Sequence, residues 1–401
     1  MGGVLLTDSA GRIAAVGTDD QVPRPEDAVV RRFPGAALLP GFVNAHTHLE
    51  LTGLAGQIAE PDFIDWILHI RRAKDAATPE TFCDWARAGV RDTWRHGITT
   101  VADTGTSGAV ALALSELGGA GIVYQEAIAP EPDRAAAALA GVRDAVERLC
   151  AAAGPRVTIG VSPHAPYTVS PALYRAAAAY AREAGLPLAG HIAESPAESA
   201  FVRAGAGPFA DGWRRRGIPL GPPARSPIEL LAELGVLGPD FLAIHAVQAD
   251  AADCATLAET GCAVVVCPRS NRRHGHGAPP VAAYLSAGLR VGLGTDSVAS
   301  VGALDLLADA REVRLLAGLS AEDTLRLLTV GGARCLGREG EIGTLAAGAW
   351  ADLAVWRLPL PPPTPDLAAE ALLLARRTDL LATFVSGRPV YEAPTEGADR
   401  G

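Results

Sequence analysis

His46 and His48 stand two residues apart in the stretch PGFVNAHTHLE, Pro40 to Glu50, at the end of an apolar run. On a β-strand, side chains at i and i+2 point to the same side. Both imidazoles would therefore project together, with Cα atoms roughly 7 Å apart by the strand rise. That arrangement suits two ligands on one metal ion; the plainer alternative is a pair of buried, hydrogen-bonded core histidines. Polar residues end other apolar runs in the same manner: Glu126 in GIVYQEAI, His164 in SPHAPYT, His191 in HIAES, His245 in HAV and Asp296 in GTDS. A second H-x-H, His274 and His276 in NRRHGHG, is flanked by glycine and follows no strand, so it reads as a loop. His69 and His96 lie in helix-like segments and read as surface or packing residues.

The elements that would position these side chains are eight strand-length apolar runs: AALLPGFVNA, GITTVADT, GIVYQEAI, RVTIGVSP, LPLAGHIA, FLAIHAV, CAVVVCP and LRVGLGTDS. Between them lie Ala-, Leu- and Arg-rich segments with helix formers at three- to four-residue spacing, several ending in Gly. Ser170-Pro171 and Ser226-Pro227 read as N-caps followed by Pro in the first helical turn. Strands alternating with helices predict a parallel sheet buried on both faces. Eight such units make this an α/β protein with a (β/α)₈ TIM barrel. An open doubly wound sheet is the second choice, weakened by the lack of G-x-G-x-x-G after an early strand. In a barrel, chemistry gathers at the C-terminal strand ends, where the histidines and Asp296 fall.

The two ends of the chain differ from the middle. VLLTDSAGRIAAVG reads as a hairpin, and IGTLAAGAWADLAVW and LLATFVSGRPVYE as short strands with Gly turns. Residues 1–38 and 342–401 are expected to form a small β-sandwich beside a barrel over 39–341. LPLPPPTPDL, Leu358 to Leu367, reads as a Pro-rich surface loop.

At 401 residues, 49% hydrophobic, the chain suits a large barrel plus an accessory module. A net charge of -10 argues against a nucleic-acid partner, and Arg214–Arg216 reads as a solvated helix end. None of the six cysteines forms C-x-x-C, so no zinc ribbon or redox motif is present. No signal peptide or membrane-length apolar stretch is visible, and a cytoplasmic protein with reduced thiols is expected.

The ordered set PGFVNAHTHLE, SPHAPYT, HIAES, HAV, CPRSN and GTDS resembles the amidohydrolase superfamily. More narrowly it resembles the branch of deaminases and chlorohydrolases that includes cytosine, guanine, S-adenosylhomocysteine and aminodeoxyfutalosine deaminases. The resemblance covers nearly the whole chain. It implies that His46, His48, His191 and Asp296 bind one divalent metal, zinc first and iron(II) second. It implies a hydroxide nucleophile formed from metal-bound water, with Asp296 accepting the water's proton and His245 holding the attacking or tetrahedral oxygen. Glu194, in HIAE, would protonate the ring nitrogen beside the attacked carbon and pass a proton to the leaving amine. The alternative for Glu194 is a carboxylate placed for a helix dipole. Family members usually carry one more strand before the point where this chain begins. Either the start is mis-assigned or the sandwich is expected to lack an edge strand.

The binuclear branch bridges its metals with a lysine on the fourth strand. The chain's only lysine is Lys74, far from RVTIGVSPHAPY, so a mononuclear centre is expected. The cytidine-type zinc deaminases are excluded because P-C-x-x-C is missing. On the substrate side, Glu50, Glu126, His164, Arg269 and Asn271 are the residues expected to face the mouth, each with a bracing role as its alternative. HTHLEL, FIDWILHIRR and the NRRHGHG loop resemble proteins near aminodeoxyfutalosine deaminase, of the futalosine route to menaquinone. The expected reaction is deamination of an aminated heteroaromatic ring, 6-aminodeoxyfutalosine first, by a chain that can be a homo-oligomer. Alternatives are S-adenosylhomocysteine, adenosine, guanine or cytosine deamination, triazine chlorohydrolysis, cyclic-amide hydrolysis, or a catalytically dead barrel serving as a structural partner.

Overall fold

The computed structural model describes residues 2–358 and 364–394. A hairpin of β1 (Gly3–Thr7) and β2 (Ile13–Thr18) opens the chain, as its turn residues predict. Next come β3 (Ala36–Pro40) and then β4 (Phe42–Thr47), β5 (Ile98–Gly105), β6 (Ala120–Ala127), β7 (Val157–Pro163), β8 (Leu188–Ile192), β9 (Phe241–His245), β10 (Ala263–Val266) and β11 (Arg290–Leu293). β4 to β11 form one parallel sheet in sequence order. Nearly every residue in these strands is buried, as apolar runs covered by helices outside and side chains inside require. β12 (Leu353–Arg357), β13 (Leu380–Val385) and β14 (Arg388–Glu392) join β3 in an antiparallel sheet.

The sheet curls so that β4 and β11 meet, and the TIM-barrel expectation is met. Thr295 N and Asp296 N both donate to the His46 carbonyl at 3.1 Å. The Asn44 side chain bonds Thr295 twice, at Oγ1 (2.8 Å) and N (3.1 Å). Gly294 makes the closure sterically possible: a Cβ there would lie 2.8 Å from His46 Cβ and 2.9 Å from Cys267 Sγ.

Two expectations about the elements need correction. AALLPGFVNA is two strands, not one. Ala36–Pro40 pairs with β12 at the edge of the small sheet, where a proline without N–H is tolerated. The chain passes to the barrel at Gly41, not between 38 and 39; Gly41 N donates to Asp352 O, and a Cβ there would fall 2.1 Å from Thr99 Oγ1. The Pro-rich loop is also shorter than expected. Thr364 caps a helix, Pro365–Leu373, that takes in the loop's last residues; 359–363 lie outside the described residues. Ser170 and Ser226 cap their helices as expected. All six cysteines are free, and among the described residues no helix is long and apolar enough to cross a membrane.

One ion pair ties the small sheet to the barrel wall. Arg156, at the start of β7, holds Asp352 with two nitrogens at 2.7 and 3.2 Å and Ser386 Oγ at 2.5 Å. Asp352 also accepts from Ser386 N, and the Arg156 guanidinium lies 4.0 Å over the Trp350 ring. The Asp352 side chain is 1% exposed. Arg156→Ala leaves that carboxylate buried without its cation, and a loss of about 3–5 kcal/mol is expected. Urea denaturation checks this; an unchanged midpoint would mean the clamp contributes nothing.

Candidate active site

The strand ends bring the predicted donors together. His46 and His48 leave β4 on the same side, their rings edge to face with centroids 4.8 Å apart. His191 Nε2 lies 3.3 Å from His48 Nε2, and Asp296 Oδ1 lies 3.5 Å from His48 Nε2 and 3.8 Å from His46 Nε2. Donor nitrogens of His46, His48 and His191 lie within 4.8 Å of one another and Asp296 Oδ1 flanks two of them, a donor set that suits a single divalent cation. Second contacts agree. His48 Nδ1 meets Thr104 O at 2.8 Å and His191 Nδ1 meets His164 O at 3.1 Å, which directs each Nε2 lone pair inward. His46 is fully buried, yet neither ring nitrogen has a hydrogen-bond partner. A buried imidazole left so is costly unless a cation takes it.

Burial, and then the neighbouring imidazoles, push His46 and His191 well below the ordinary histidine range, so both are neutral, as ligands must be. Asp296 is further held by Ser270 Oγ (2.5 Å), Ser300 Oγ (3.1 Å) and Ser297 N (2.6 Å).

Glu194 follows β8 and is buried, its Oε1 3.6 Å from His245 Nε2. Burial first, then the charges of Asp296 and Glu198, push its carboxyl well above the usual range. His245 ends β9, and its Nδ1 is held by Asn271 Nδ2 at 3.1 Å. Ala193, His245, Ala246 and Asp296 all have positive φ, between 46° and 72°. Non-glycine residues in that region concentrate where structure is held for function, and four of them line this mouth.

The residues expected on the substrate side separate. His164 and Glu126 stay at the mouth: His164 Nε2 is 4.0 Å from Glu126 Oε1, which has no hydrogen-bond partner, and His164 Nδ1 meets Thr168 Oγ1 at 2.8 Å. Donors from Glu126, His164 and His191 also lie within 4.8 Å of one another. One His191 nitrogen is already taken by the His164 carbonyl, so the other can serve only one such group. Glu50 is turned elsewhere. Its oxygens receive Lys74 Nζ at 2.5 Å, the Thr106 and Ser107 N–H groups and the Ser107 hydroxyl. Burial opposes its charge, but Lys74 holds its pKa below the ordinary value. Arg269 is a brace rather than a mouth residue; it spans Val301 O, Ala303 O, Asp305 O and Asp309. Asn271 acts on His245.

Three site residues escaped the sequence reading. His274 and His276 do lie in a loop, but the loop folds into the site. Both are buried, and His276 Nδ1 lies 3.6 Å from Glu194 Oε1. Glu198 is fully buried and accepts the backbone N–H groups of Ala193 (2.8 Å) and Glu194 (2.7 Å), fixing the turn that presents Glu194. Ser195-x-x-Glu198 is a capping-box signature that could have found it.

The sequence model of the amidohydrolase family matches residues 37–390. A 5-methylthioadenosine/S-adenosylhomocysteine deaminase of Symbiobacterium thermophilum is 33% identical, over 97% of this chain and 89% of its own. An aminodeoxyfutalosine deaminase of Deinococcus radiodurans is 35% identical, over 84% and 81%. Among solved structures, an adenosine deaminase from Xanthomonas campestris with bound zinc superposes with a TM-score of 0.81 at 27% identity, covering 96% of this chain and 87% of its own.

Glu198 gives a test of how the site is held. Burial pushes its carboxyl up to about 7 against the pull of its backbone donors. The unfolded chain therefore loses this proton first, and folding weakens as pH rises from the ordinary glutamate value through about 7. Glu198→Gln should flatten that part of a stability–pH profile, read as Tm between pH 5 and 7.5. A slope equal to that of the parent would remove Glu198 as its source.

Proposed function

The chain belongs to the amidohydrolase family, and on that premise we propose that it deaminates the adenine-type ring of a small nucleoside-like substrate, releasing ammonia. The observation that carries this is Glu194: a buried carboxyl, 3.6 Å from His245 Nε2, that burial and then Asp296 and Glu198 push well above the ordinary glutamate range, set beside the His46, His48, His191 and Asp296 cluster. These four would hold one divalent ion, zinc first and iron(II) second; when bound it acidifies a water toward neutrality.

The protein's own groups do the rest. Asp296, held by two serine hydroxyls, accepts the proton given up by the attacking water. Glu194 donates to the ring nitrogen next to the attacked carbon; the proton taken by Asp296 then passes to the leaving amine, which departs as ammonia, while the adduct's hydroxyl proton returns to Glu194 as the carbonyl forms. His245, steadied by Asn271, donates to the oxygen that forms on that carbon. Burial keeps water from competing for these hydrogen bonds. His164 and Glu126 face the mouth and are the groups placed to meet the substrate.

Within this class, 6-aminodeoxyfutalosine is our first choice, supported by the likeness to the Deinococcus radiodurans deaminase; it would place the chain in menaquinone formation. Methylthioadenosine and S-adenosylhomocysteine come second, supported by the Symbiobacterium thermophilum relative. Ammonia release by the zinc-loaded protein with these three compounds, adenosine, guanine and cytosine decides between them. No release from any of them would overturn the deaminase reading. His191→Ala should abolish stoichiometric zinc binding. Glu194→Gln should keep zinc and lose turnover at least about 100-fold; normal turnover in that variant would remove Glu194 as the acid.

A further inference from the structure

His276 is unexplained by the reaction as drawn. Its side chain is 2% exposed, its Nδ1 lies 3.6 Å from Glu194 Oε1, and neither ring nitrogen has a hydrogen-bond partner. The ring is not there by accident of a loose loop. His276 N donates to Asn271 O at 2.9 Å, and its carbonyl accepts from Gln248 Nε2 at 2.5 Å. Gly275 and Gly277 on either side take φ of 67° and 99°, so the turn that delivers the imidazole needs both glycines. Phe63 packs edge to face against the ring, centroids 4.4 Å apart, which limits its rotation. A buried imidazole fixed this tightly and left unpaired is costly, and the polar atom it faces is Glu194 Oε1.

The tautomers complete the picture. Asn271 Nδ2 lies 3.1 Å from His245 Nδ1; with the amide donating there, Nδ1 accepts and the His245 proton is on Nε2. That nitrogen lies 3.6 Å from Glu194 Oε1, the same distance as His276 Nδ1. Contacts of this length in an enzyme without substrate commonly tighten in the complex. Oε1 is then an acceptor only, and the acid proton resides on Oε2. During turnover His245 is drawn to the reacting oxygen, and His276 is the donor that stays on Oε1.

We infer, resting on the acid role proposed for Glu194, that His276 is a positioning residue whose Nδ1–H holds Glu194 Oε1 and so keeps the acid proton on Oε2, toward the ring. It touches Glu194, not the substrate.

The test is a double-mutant cycle on zinc-loaded enzyme, with 6-aminodeoxyfutalosine and S-adenosylhomocysteine as probes, beside ¹⁵N spectra of the imidazoles. His276→Ala should lower kcat about 10- to 100-fold with KM changed less than about 3-fold, and His276→Asn, which restores an N–H donor, should recover part of the loss. In a Glu194→Gln background, His276→Ala should cost less than about 2-fold more, since the two act as a unit. The spectra should show the Nδ1–H tautomer for His276 in the parent, altered in Glu194→Gln. Equal losses in both backgrounds, a rise confined to KM, or an Nε2–H tautomer indifferent to Glu194→Gln would each overturn the inference. Full turnover by Glu194→Gln alone would instead sink the acid role, and the inference with it. Zinc content and Tm of each variant distinguish these outcomes from misfolding.

Discussion

The carbonyl of His46 receives two backbone N–H groups, from Thr295 and Asp296, and the rest of the site hangs on that seam. It is where the last strand of the barrel meets the first. Closing the sheet removes two edges that would otherwise be open. The same bonds set Asp296 against the histidines of β4, although some 250 residues separate them in sequence. Asp296 reaches that place only with φ at 61°, a conformation an aspartate adopts at a cost of order 1–3 kcal/mol. The hydroxyls of Ser270 and Ser300 then fix its carboxylate. Barrel closure and site assembly are thus one event.

Once closed, the mouth is an electrostatic problem. It collects His46, His164, His191 and His245, whose burial and neighbouring charges lower their pKa values, beside Glu194 and Glu198, whose carboxyls burial drives toward the protonated form. Without a cation, His46 has no partner at all. A divalent ion would relieve that cost and the carboxylate repulsion together, which is why the donor set argues for one more strongly than any single distance. Glu194 is the carboxyl that gives the site a use: burial first, and then Asp296 and Glu198, push its pKa up, and it lies where its proton can be spent.

The strands were legible because each barrel strand is an apolar run bounded by charge or glycine, and because residues at strand ends must point into the mouth. The donors His46, His48, His191 and Asp296 could be read for that reason. The division at Gly41 could not, since apolar residues continue on both sides of it and the change of sheet is decided by pairing with β12. Glu50 could be read as a pocket or a salt-bridged residue, and its partner Lys74 was not identified because it comes from a helix whose docking the sequence does not state. Arg269 looked like a mouth residue because CPRSN follows a strand, but its half-buried guanidinium is satisfied by the carbonyls of Val301, Ala303 and Asp305. His276 was invisible because its approach depends on Asn271 and Gln248 holding a glycine-flanked turn.

The helix Phe63–Ala76 connects these hidden parts. At its start Phe63 and Trp66 pack on the rings of His276 and His274, with centroids 4.4 and 4.6 Å apart. Eleven residues on, about 16 Å along the axis, Lys74 reaches Glu50. One helix therefore braces both flanks of the mouth, the side that orients the acid and the side that faces Glu126 and His164. Trp66 is its only buried residue, and Phe63, Ile67, Ile70 and Ala73 pack partly buried against the same apolar cluster. Its hold at the far end is electrostatic: burial works against the Lys74 charge, and Glu50 and Glu126 more than offset it, raising the lysine's pKa. A single lysine in a chain that otherwise uses arginine is thus where it is needed, as one compact cation on a flexible stem. The barrel supplies the donors, and this helix completes the walls around them.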